Sequence, residues 1–232
     1  MPVLPGGRNH EVVQQEGNPQ YEAAYRQAFG NDRANYTFRH GGVQFVVLDD
    51  SGAPASNRTE VGRRRNGWLG EVLAASKELP TIVCCHIPLV PLRDEEVLKR
   101  SFGFGSYIAH DAELLKLIDA HADSIVAVLS GHLHLTGVVR RNGVCQIAVS
   151  GTASYPCDFA SYEVFADRLR MRVHSLPPHL VTPETDIHGK PRYATDFTDA
   201  AHVTHEAYVR GNPSERTLEM VLRRAPRVGP AI

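Results

Sequence analysis

The sequence predicts an α/β fold, and two apolar runs that each lead into a histidine carry this prediction. Residues 81–85 (TIVCC) and 124–129 (SIVAVL) are continuous apolar runs, as expected of strands buried on both faces of a sheet. A helical pattern precedes each run, so helix and strand alternate along the chain. His86 follows the first run directly, and His132 lies just beyond the second. Functional groups gather at the carboxyl ends of strands in open α/β sheets, so both histidines lie where a site is expected.

Two helices are predicted from apolar residues at helical spacing. Residues 68–73 place Trp68, Leu69 and Leu73 on one face, and Pro80 ends this helix. Asp111 is expected to cap a second helix, whose residues 114–118 turn leucine and isoleucine inward. The polar, Gly- and Arg-rich stretch 50–66 predicts a loop, and the three arginines at 63–65 are interpreted as a solvated helix start.

Turn residues predict the remaining strands. The HGG sequence at residues 40–42 separates two β-rich runs, 36–39 and 43–49, and Asn142-Gly143 is the turn of a hairpin over 138–149. Strands over 161–165 and 169–173 follow, with a turn at Asp167. The chain has 232 residues, which suits one large domain over 1–175 with an extension over 176–232. The extension is rich in proline and predicted to be loop-rich, with one helix near 213–222.

Composition excludes several classes of protein. Hydrophobic residues make up 42% and charged residues 22%, the balance of an ordinary globular protein. The formal net charge of −1 gives no indication of a nucleic-acid or membrane partner. Cys84 and Cys85 are interpreted as buried thiols, and the small number of cysteines favours a cytoplasmic location. No apolar run approaches the ~20 residues of a membrane span, and the first residues do not have the pattern of a signal peptide.

Three short motifs carry the chemistry. They are NHE at residues 9–11, His86 with Pro88 at a strand end, and GHLH at residues 131–134. Two histidines at i and i+2 point to opposite sides of an extended chain, and a glycine before them lets the backbone turn so that both rings reach one point. Neutral imidazole is a good ligand for Zn, Fe, Mn or Ni, and amide or carboxylate oxygens would complete a hydrolytic site.

In this order the three motifs resemble the calcineurin-like metallophosphoesterases, which include purple acid phosphatases and class III cyclic-nucleotide phosphodiesterases. The family pattern is D-x-H, G-D-x-x-D, G-N-H-[DE], a strand-end H and G-H-x-H, and its last three elements match residues 9–11, 86 and 131–134. The resemblance covers residues 1–175. It implies a two-sheet α/β/β/α sandwich that lacks its first strands, and an enzyme that hydrolyses phosphate mono- or diesters.

The resemblance also implies roles for individual residues. Asn9, His86 and His132 would ligate the second metal ion of a dinuclear centre, and His134 would ligate the first. His10 would contact the phosphate and assist the leaving group, with Glu11 orienting its ring. The complete family site holds two ions of Fe, Mn or Zn, and one or none is expected here. The implied partner is a small phosphoester.

Two departures from the family pattern bear on activity. Arg8 stands where the family has glycine, and no D-x-H or G-D-x-x-D precedes Asn9. Those motifs supply the bridging carboxylate and most ligands of the first metal, so the chain is expected to be an N-terminally truncated, impaired enzyme. Asp49 and Asp50 are not expected to substitute for them.

Other interpretations of the same residues remain open. A degenerate, non-catalytic domain could retain one metal ion for binding or structure. His86, His132 and His134 could instead be satisfied by hydrogen bonds at their loops, and His10 could be solvated.

Overall fold

The computed structural model describes residues 27, 35–50, 60–102, 108–109, 111–152, 156–180 and 205–222. Its strands are β1 (Tyr36–His40), β2 (Val43–Val47), β3 (Thr81–Cys84), β4 (Ile125–Ser130), β5 (Gly137–Arg141), β6 (Val144–Ala148), β7 (Asp158–Val164), β8 (Arg168–Ser175) and β9 (Thr217–Val221). Its helices are α1 (Glu60–Ala75), α2 (Glu95–Phe102), α3 (Ala112–Ala120), α4 (His205–Arg210) and α5 (Pro213–Arg216), with a short 3-10 turn at Pro178–Leu180.

The strands form a six-stranded sheet, in the order β1-β2-β3-β4-β6-β5, and a three-stranded sheet, in the order β7-β8-β9. Strands β2, β3, β4 and β6 are parallel, and the hairpin partners β1 and β5 run antiparallel at the two edges. Both predicted hairpins are confirmed. Their turn residues Gly41, Gly42, Asn142 and Gly143 all have positive φ, as two-residue turns of the primed type require.

Successive residues of the central strands face different layers. Val83 packs against the helices α1 and α3 through Leu69 and Ile118, whereas its neighbour Ile82 packs against Met171 of the second sheet. Both faces of β3 are therefore buried, which explains its continuous apolar sequence. The layers are helix, sheet and sheet, and they leave the carboxyl ends of β2, β3 and β4 together at one edge.

Two elements differ from the sequence prediction. Helix α1 begins at Glu60, so residues 60–66 are helical rather than loop. The helix predicted near 213–222 is four residues long and is followed by β9, which pairs antiparallel with β8. In β9 the apolar residues Leu218 and Met220 alternate with polar ones, which is a strand pattern. The sequence prediction extended the short helix before it over these residues.

The extension thus contributes to the second sheet, although residues 181–204 and 223–232 lie outside the described residues. The domain boundary at residue 175 stays a prediction. Within the described ranges, no helix is both long and apolar enough to cross a membrane.

Candidate metal centre

The loops after β3 and β4 bring His86 and His132 into contact. These strands pair in parallel, with Cys84 opposite Leu129, and the ladder continues beyond β3 because the Gly131 N–H donates to the His86 carbonyl at 3.0 Å. His86 Nε2 lies 3.2 Å from His132 Nδ1. The ring centroids are 4.9 Å apart and the rings meet edge to face at 73°. The two sequence-predicted ligands therefore present nitrogen atoms to one point.

Asp50 fixes the backbone at His86. Its carboxylate accepts hydrogen bonds from the N–H of His86 at 2.6 Å and of Ile87 at 2.8 Å. Burial raises the pKa of Asp50 to about 6, although both N–H donors act in the opposite direction. Sequence reasoning assigned no role to Asp50. An acidic residue at the carboxyl end of a buried strand beside β3 was the signal that could have found it.

Behind Asp50 lies a buried ion pair between Arg65 and Asp111, whose side chains are 2% and 3% exposed. Arg65 also donates to Asn66 Oδ1 and, at 3.4 Å, to the carbonyl of Asp49. Asp111 Oδ1 accepts from the Leu114 N–H at 2.9 Å, which confirms the predicted cap of α3. The prediction of a solvated arginine cluster is wrong for Arg65, because its partner lies 46 residues away in sequence.

The loop of residues 131–135, here called the glycine-histidine loop, turns through the histidines themselves. His132 and His134 have φ values of 64° and 50°, whereas Gly131 is not in the left-handed region. Gly131 does begin the turn, because its carbonyl accepts from the Leu133 N–H at 2.7 Å, but the left-handed residues are the histidines. Leu133 and Leu135 are 1% and 0% exposed, and they anchor the loop in an apolar cluster with Leu92, Leu98 and Val209.

His86, His132 and His134 line a cavity of about 420 Å³, here called the histidine cavity. Cys84 and Cys85 also line it. Burial raises the pKa of the Cys84 thiol to about 12 and raises that of Cys85 well above its ordinary value. Both thiols are therefore protonated at neutral pH, which makes them poor nucleophiles. Both side chains are partly buried, with Cys85 packed against the apolar cluster on the helix side and Cys84 against the one between the sheets, so the interpretation as buried thiols is met only in part.

The His86–His132 pair fits part of a metal coordination sphere. With metal–nitrogen bonds of ~2.0–2.1 Å, two imidazole ligands of a tetrahedral ion lie about 3.3 Å apart, close to the 3.2 Å observed. The same distance also suits an N–H···N hydrogen bond between the rings. Among the described residues, no group of three His, Cys, Asp or Glu side chains could hold a metal ion.

The other predicted site residues are distributed differently. Asn9, His10 and Glu11 lie outside the described residues. His134 lines the same cavity as the pair, but its assignment to the first metal stays a prediction, as do the ligand roles of His86 and His132.

The fold is similar to that of a known phosphatase. Purple acid phosphatase PPD1 from yellow lupin (Lupinus luteus) seeds matches with a TM-score of 0.51 and 13% identity, over 73% of this chain and 38% of that one. A dimetal phosphatase from Danio rerio has a TM-score of 0.48 and 18% identity over 63% of this chain and 59% of that one. GAP50, the anchor in the inner membrane complex of Plasmodium, matches with a TM-score of 0.47 and 15% identity, over 62% of this chain and 51% of that one.

The likeness to the lupin enzyme confirms the predicted fold class, a two-sheet α/β fold like that of a purple acid phosphatase. At 13% identity it shows the fold alone. The chain spans between 38% and 59% of the length of these three proteins. No family model and no curated protein sequence matches it.

Proposed function

We propose that this chain binds a metal ion through His86, His132 and Asn9 and that the centre serves the hydrolysis of phosphate mono- or diesters. The observation that carries the proposal is the 3.2 Å separation of two imidazole nitrogens at the carboxyl edge of two adjacent parallel strands. This edge is where open α/β sheets bind ligands. The net charge of −1 leaves the protein without a general field for anions, so metal ions would supply the local positive charge that a phosphate needs.

The residues divide into metal ligands and proton donors. His86, His132 and Asn9 would hold one ion, and His134 would belong to a second. Ions of Fe, Mn or Zn would neutralise charge on the phosphoryl oxygens and polarise the ester. His10, oriented by Glu11, would donate a proton to the departing alkoxide.

We further propose that hydrolysis by this chain is weak and that it binds one ion rather than two. His86 and His132 form a pair that fits part of one coordination sphere, and the described residues contain no group of three metal-binding side chains. The same observations favour a second candidate, a domain that binds one metal ion without catalysis. The small phosphoester partner and the cytoplasmic location also remain proposals.

Metal content and turnover of the full chain separate these possibilities. We expect about one Mn, Fe or Zn ion per chain by plasma mass spectrometry after loading, and slow hydrolysis of bis-nitrophenyl phosphate. His132→Ala should lose the ion. His121→Ala is the matched control, because His121 lies at the end of α3 and has no proposed role.

Equal metal content in the two variants would remove the basis for the site. Two ions with rapid turnover would contradict the proposed impairment. One ion without any turnover would establish the non-catalytic candidate.

A further inference from the structure

The segments of chain that leave the two histidine loops meet at Arg93. Residues 87–93 follow His86 and end at this arginine. Arg93 Nη2 donates to the carbonyl of Thr136, the residue that follows the glycine-histidine loop. The Arg93 side chain is 15% exposed, so this contact is largely shielded from water. One guanidinium group therefore joins the backbone beyond His86 to the backbone beyond the glycine-histidine loop.

Residues 208–215, here called the C-terminal segment, contact the same junction. Glu215 Oε1 pairs with Arg93 Nη1 at 2.6 Å. The Thr136 N–H donates to the Val209 carbonyl at 2.7 Å, so both backbone polar groups of Thr136 are hydrogen-bonded. Thr136 is 0% exposed. Because hydrogen bonds depend on distance and angle, these contacts fix the position of the backbone where the glycine-histidine loop ends.

Gly137 and Gly211 allow this junction to pack closely. A Cβ atom on Gly211 would lie 2.9 Å from the Thr136 carbonyl oxygen, and one on Gly137 would lie 3.0 Å from Arg93 Nη1. Both distances are shorter than ordinary van der Waals contact. Gly211 also has a φ of 73°, which residues with a side chain rarely adopt. The lack of a side chain at both positions lets Arg93, Thr136 and the C-terminal segment come together.

The position of this backbone bears on the metal centre because the nearby histidines are strained. His132 and His134 have φ values of 64° and 50°, a conformation that persists only where the surrounding structure determines it. The nitrogens of His86 and His132 lie 3.2 Å apart, and a metal site tolerates deviations of only about 0.2 Å in its metal–ligand distances. A small shift of either histidine loop would therefore weaken metal binding.

We propose that Arg93 is a positioning residue of the metal centre and that the C-terminal segment holds its guanidinium in place. Arg93 acts through the backbone that follows His86 and the backbone that follows the glycine-histidine loop, without contacting the ion or the substrate. The C-terminal segment then serves the metal centre as well as the fold. This inference rests on the proposed function, because the centre is assigned to His86 and His132.

Zinc titration of full-chain variants tests this role. Arg93→Lys keeps the charge that pairs with Glu215, but a single ammonium group does not span the carbonyls that the planar guanidinium reaches. Gly211→Ala displaces the Thr136 carbonyl. Each variant should bind Zn²⁺ about tenfold more weakly, the lower end of the loss that is usual when groups that orient metal ligands are changed. Competition with a chelator measures the affinity of the site that His132→Ala removes.

Gly143→Ala is the matched control for backbone strain. Gly143 has a φ of 82° and Gly211 one of 73°, so both alanine variants strain a left-handed residue and should unfold at lower urea concentration. Gly143 lies in the turn between β5 and β6, at the end of β5 away from the glycine-histidine loop. Its variant should therefore keep the wild-type affinity for Zn²⁺.

Wild-type Zn²⁺ affinity in Arg93→Lys overturns the proposal. So does an equal loss of affinity in Gly143→Ala and Gly211→Ala, because the effect would then follow from stability alone. Arg93→Lys and Gly143→Ala decide if Gly211→Ala does not fold.

Failure of the metal centre itself is recognised separately, because the wild-type chain then binds no Zn²⁺. NMR of the metal-free chains then compares the nuclear Overhauser effect between the rings of His86 and His132, whose centroids are 4.9 Å apart. Loss of this signal in Arg93→Lys but not in Gly143→Ala supports the positioning role without the metal. Its retention in Arg93→Lys, or its loss in both variants, overturns that role as well.

Discussion

The two loops that carry the histidines are held in place by different means. The loop at His86 is fixed by one buried carboxylate, since Asp50 accepts from two consecutive N–H groups. The glycine-histidine loop is fixed by apolar anchors, with Leu133 and Leu135 buried and His132 and His134 forced into left-handed backbone. The two loops bring the rings of His86 and His132 to the same point. Hydrogen bonds hold the first loop, whereas apolar packing holds the second in a strained backbone conformation.

The two loops therefore lower the stability of the fold in different ways. At His86 the cost is the desolvation of Asp50, which its two hydrogen bonds partly offset. In the glycine-histidine loop the cost is about 1–2 kcal/mol for each non-glycine residue in left-handed backbone. Such strain persists only where the surrounding structure determines the conformation, and it is concentrated at functional sites.

The largest effect is expected from removing the carboxylate that holds the His86 loop. Asp50→Ala leaves two N–H groups without their acceptor, at about 1–3 kcal/mol each, so the free energy of unfolding should fall by about 2–6 kcal/mol. Metal content should fall too, because the His86 backbone is no longer fixed. Urea unfolding and plasma mass spectrometry measure the two effects.

Glu113→Ala is a suitable carboxylate control. Glu113 forms an exposed pair with Lys116 on α3, and such pairs contribute less than about 1 kcal/mol. If Asp50→Ala were no more destabilised than Glu113→Ala, the hydrogen bonds would not be what holds the His86 loop.

The sequence was sufficient for the parts of the fold that local pattern determines. Strands β3 and β4, with a histidine just beyond each, were predicted because a strand buried on both faces has a continuous apolar sequence. The hairpin at Asn142-Gly143 was predicted because only a few residues tolerate the backbone of its turn.

What remained unpredicted depends on long-range partners. Arg65 was expected to be solvated, because nothing near it in sequence shows that Asp111 lies beside it in the folded chain. The left-handed backbone of His132 and His134 was not predicted, because histidine adopts it more often than most residues but still in a small minority of cases, so the residue type alone does not mark it. Strand β9 depends on the open edge of β8, which is a property of the assembled sheet.

Alanine and glycine variants should have opposite orders of stability at His134 and at His86. At His134 both variants remove the ring, but glycine accepts a φ of 50° without the strain that alanine retains. His134→Gly should therefore be more stable than His134→Ala by up to about 1 kcal/mol, the strain relieved less the entropy of glycine in the unfolded chain. Urea unfolding of both variants gives the difference.

The His86 loop supplies the matched pair. His86 does not have positive φ, so His86→Gly should be less stable than His86→Ala by about 0.5–1 kcal/mol. The same order at both positions would show that backbone strain does not distinguish the loops.

The smallest effect concerns the far end of the glycine-histidine loop, where the C-terminal segment holds it. Arg93 donates to the carbonyl of Thr136 and pairs with Glu215, with Nη1 and Oε1 at 2.6 Å. Glu215 also accepts from the Val138 N–H at 3.2 Å. Burial acts to raise the pKa of Glu215, but the hydrogen bonds from Arg93, Asn212 and Val138 outweigh it and lower the pKa overall.

A lowered pKa in the folded protein means that Glu215 stabilises the fold at pH values above its unfolded pKa of about 4.3. This stability is lost as the pH falls through the lower, folded-state pKa. The free energy of unfolding should therefore change less between pH 5 and pH 3 in Glu215→Gln than in the wild type. The difference should be at most about 1 kcal/mol, because solvent partly screens this half-buried ion pair. Urea unfolding at each pH measures this, with Glu113→Gln as the exposed control.

Parallel pH profiles for the wild type and Glu215→Gln would mean that the ionised pair does not hold this end of the loop. The attachment would then be the hydrogen bond that the Thr136 N–H donates to the Val209 carbonyl at 2.7 Å.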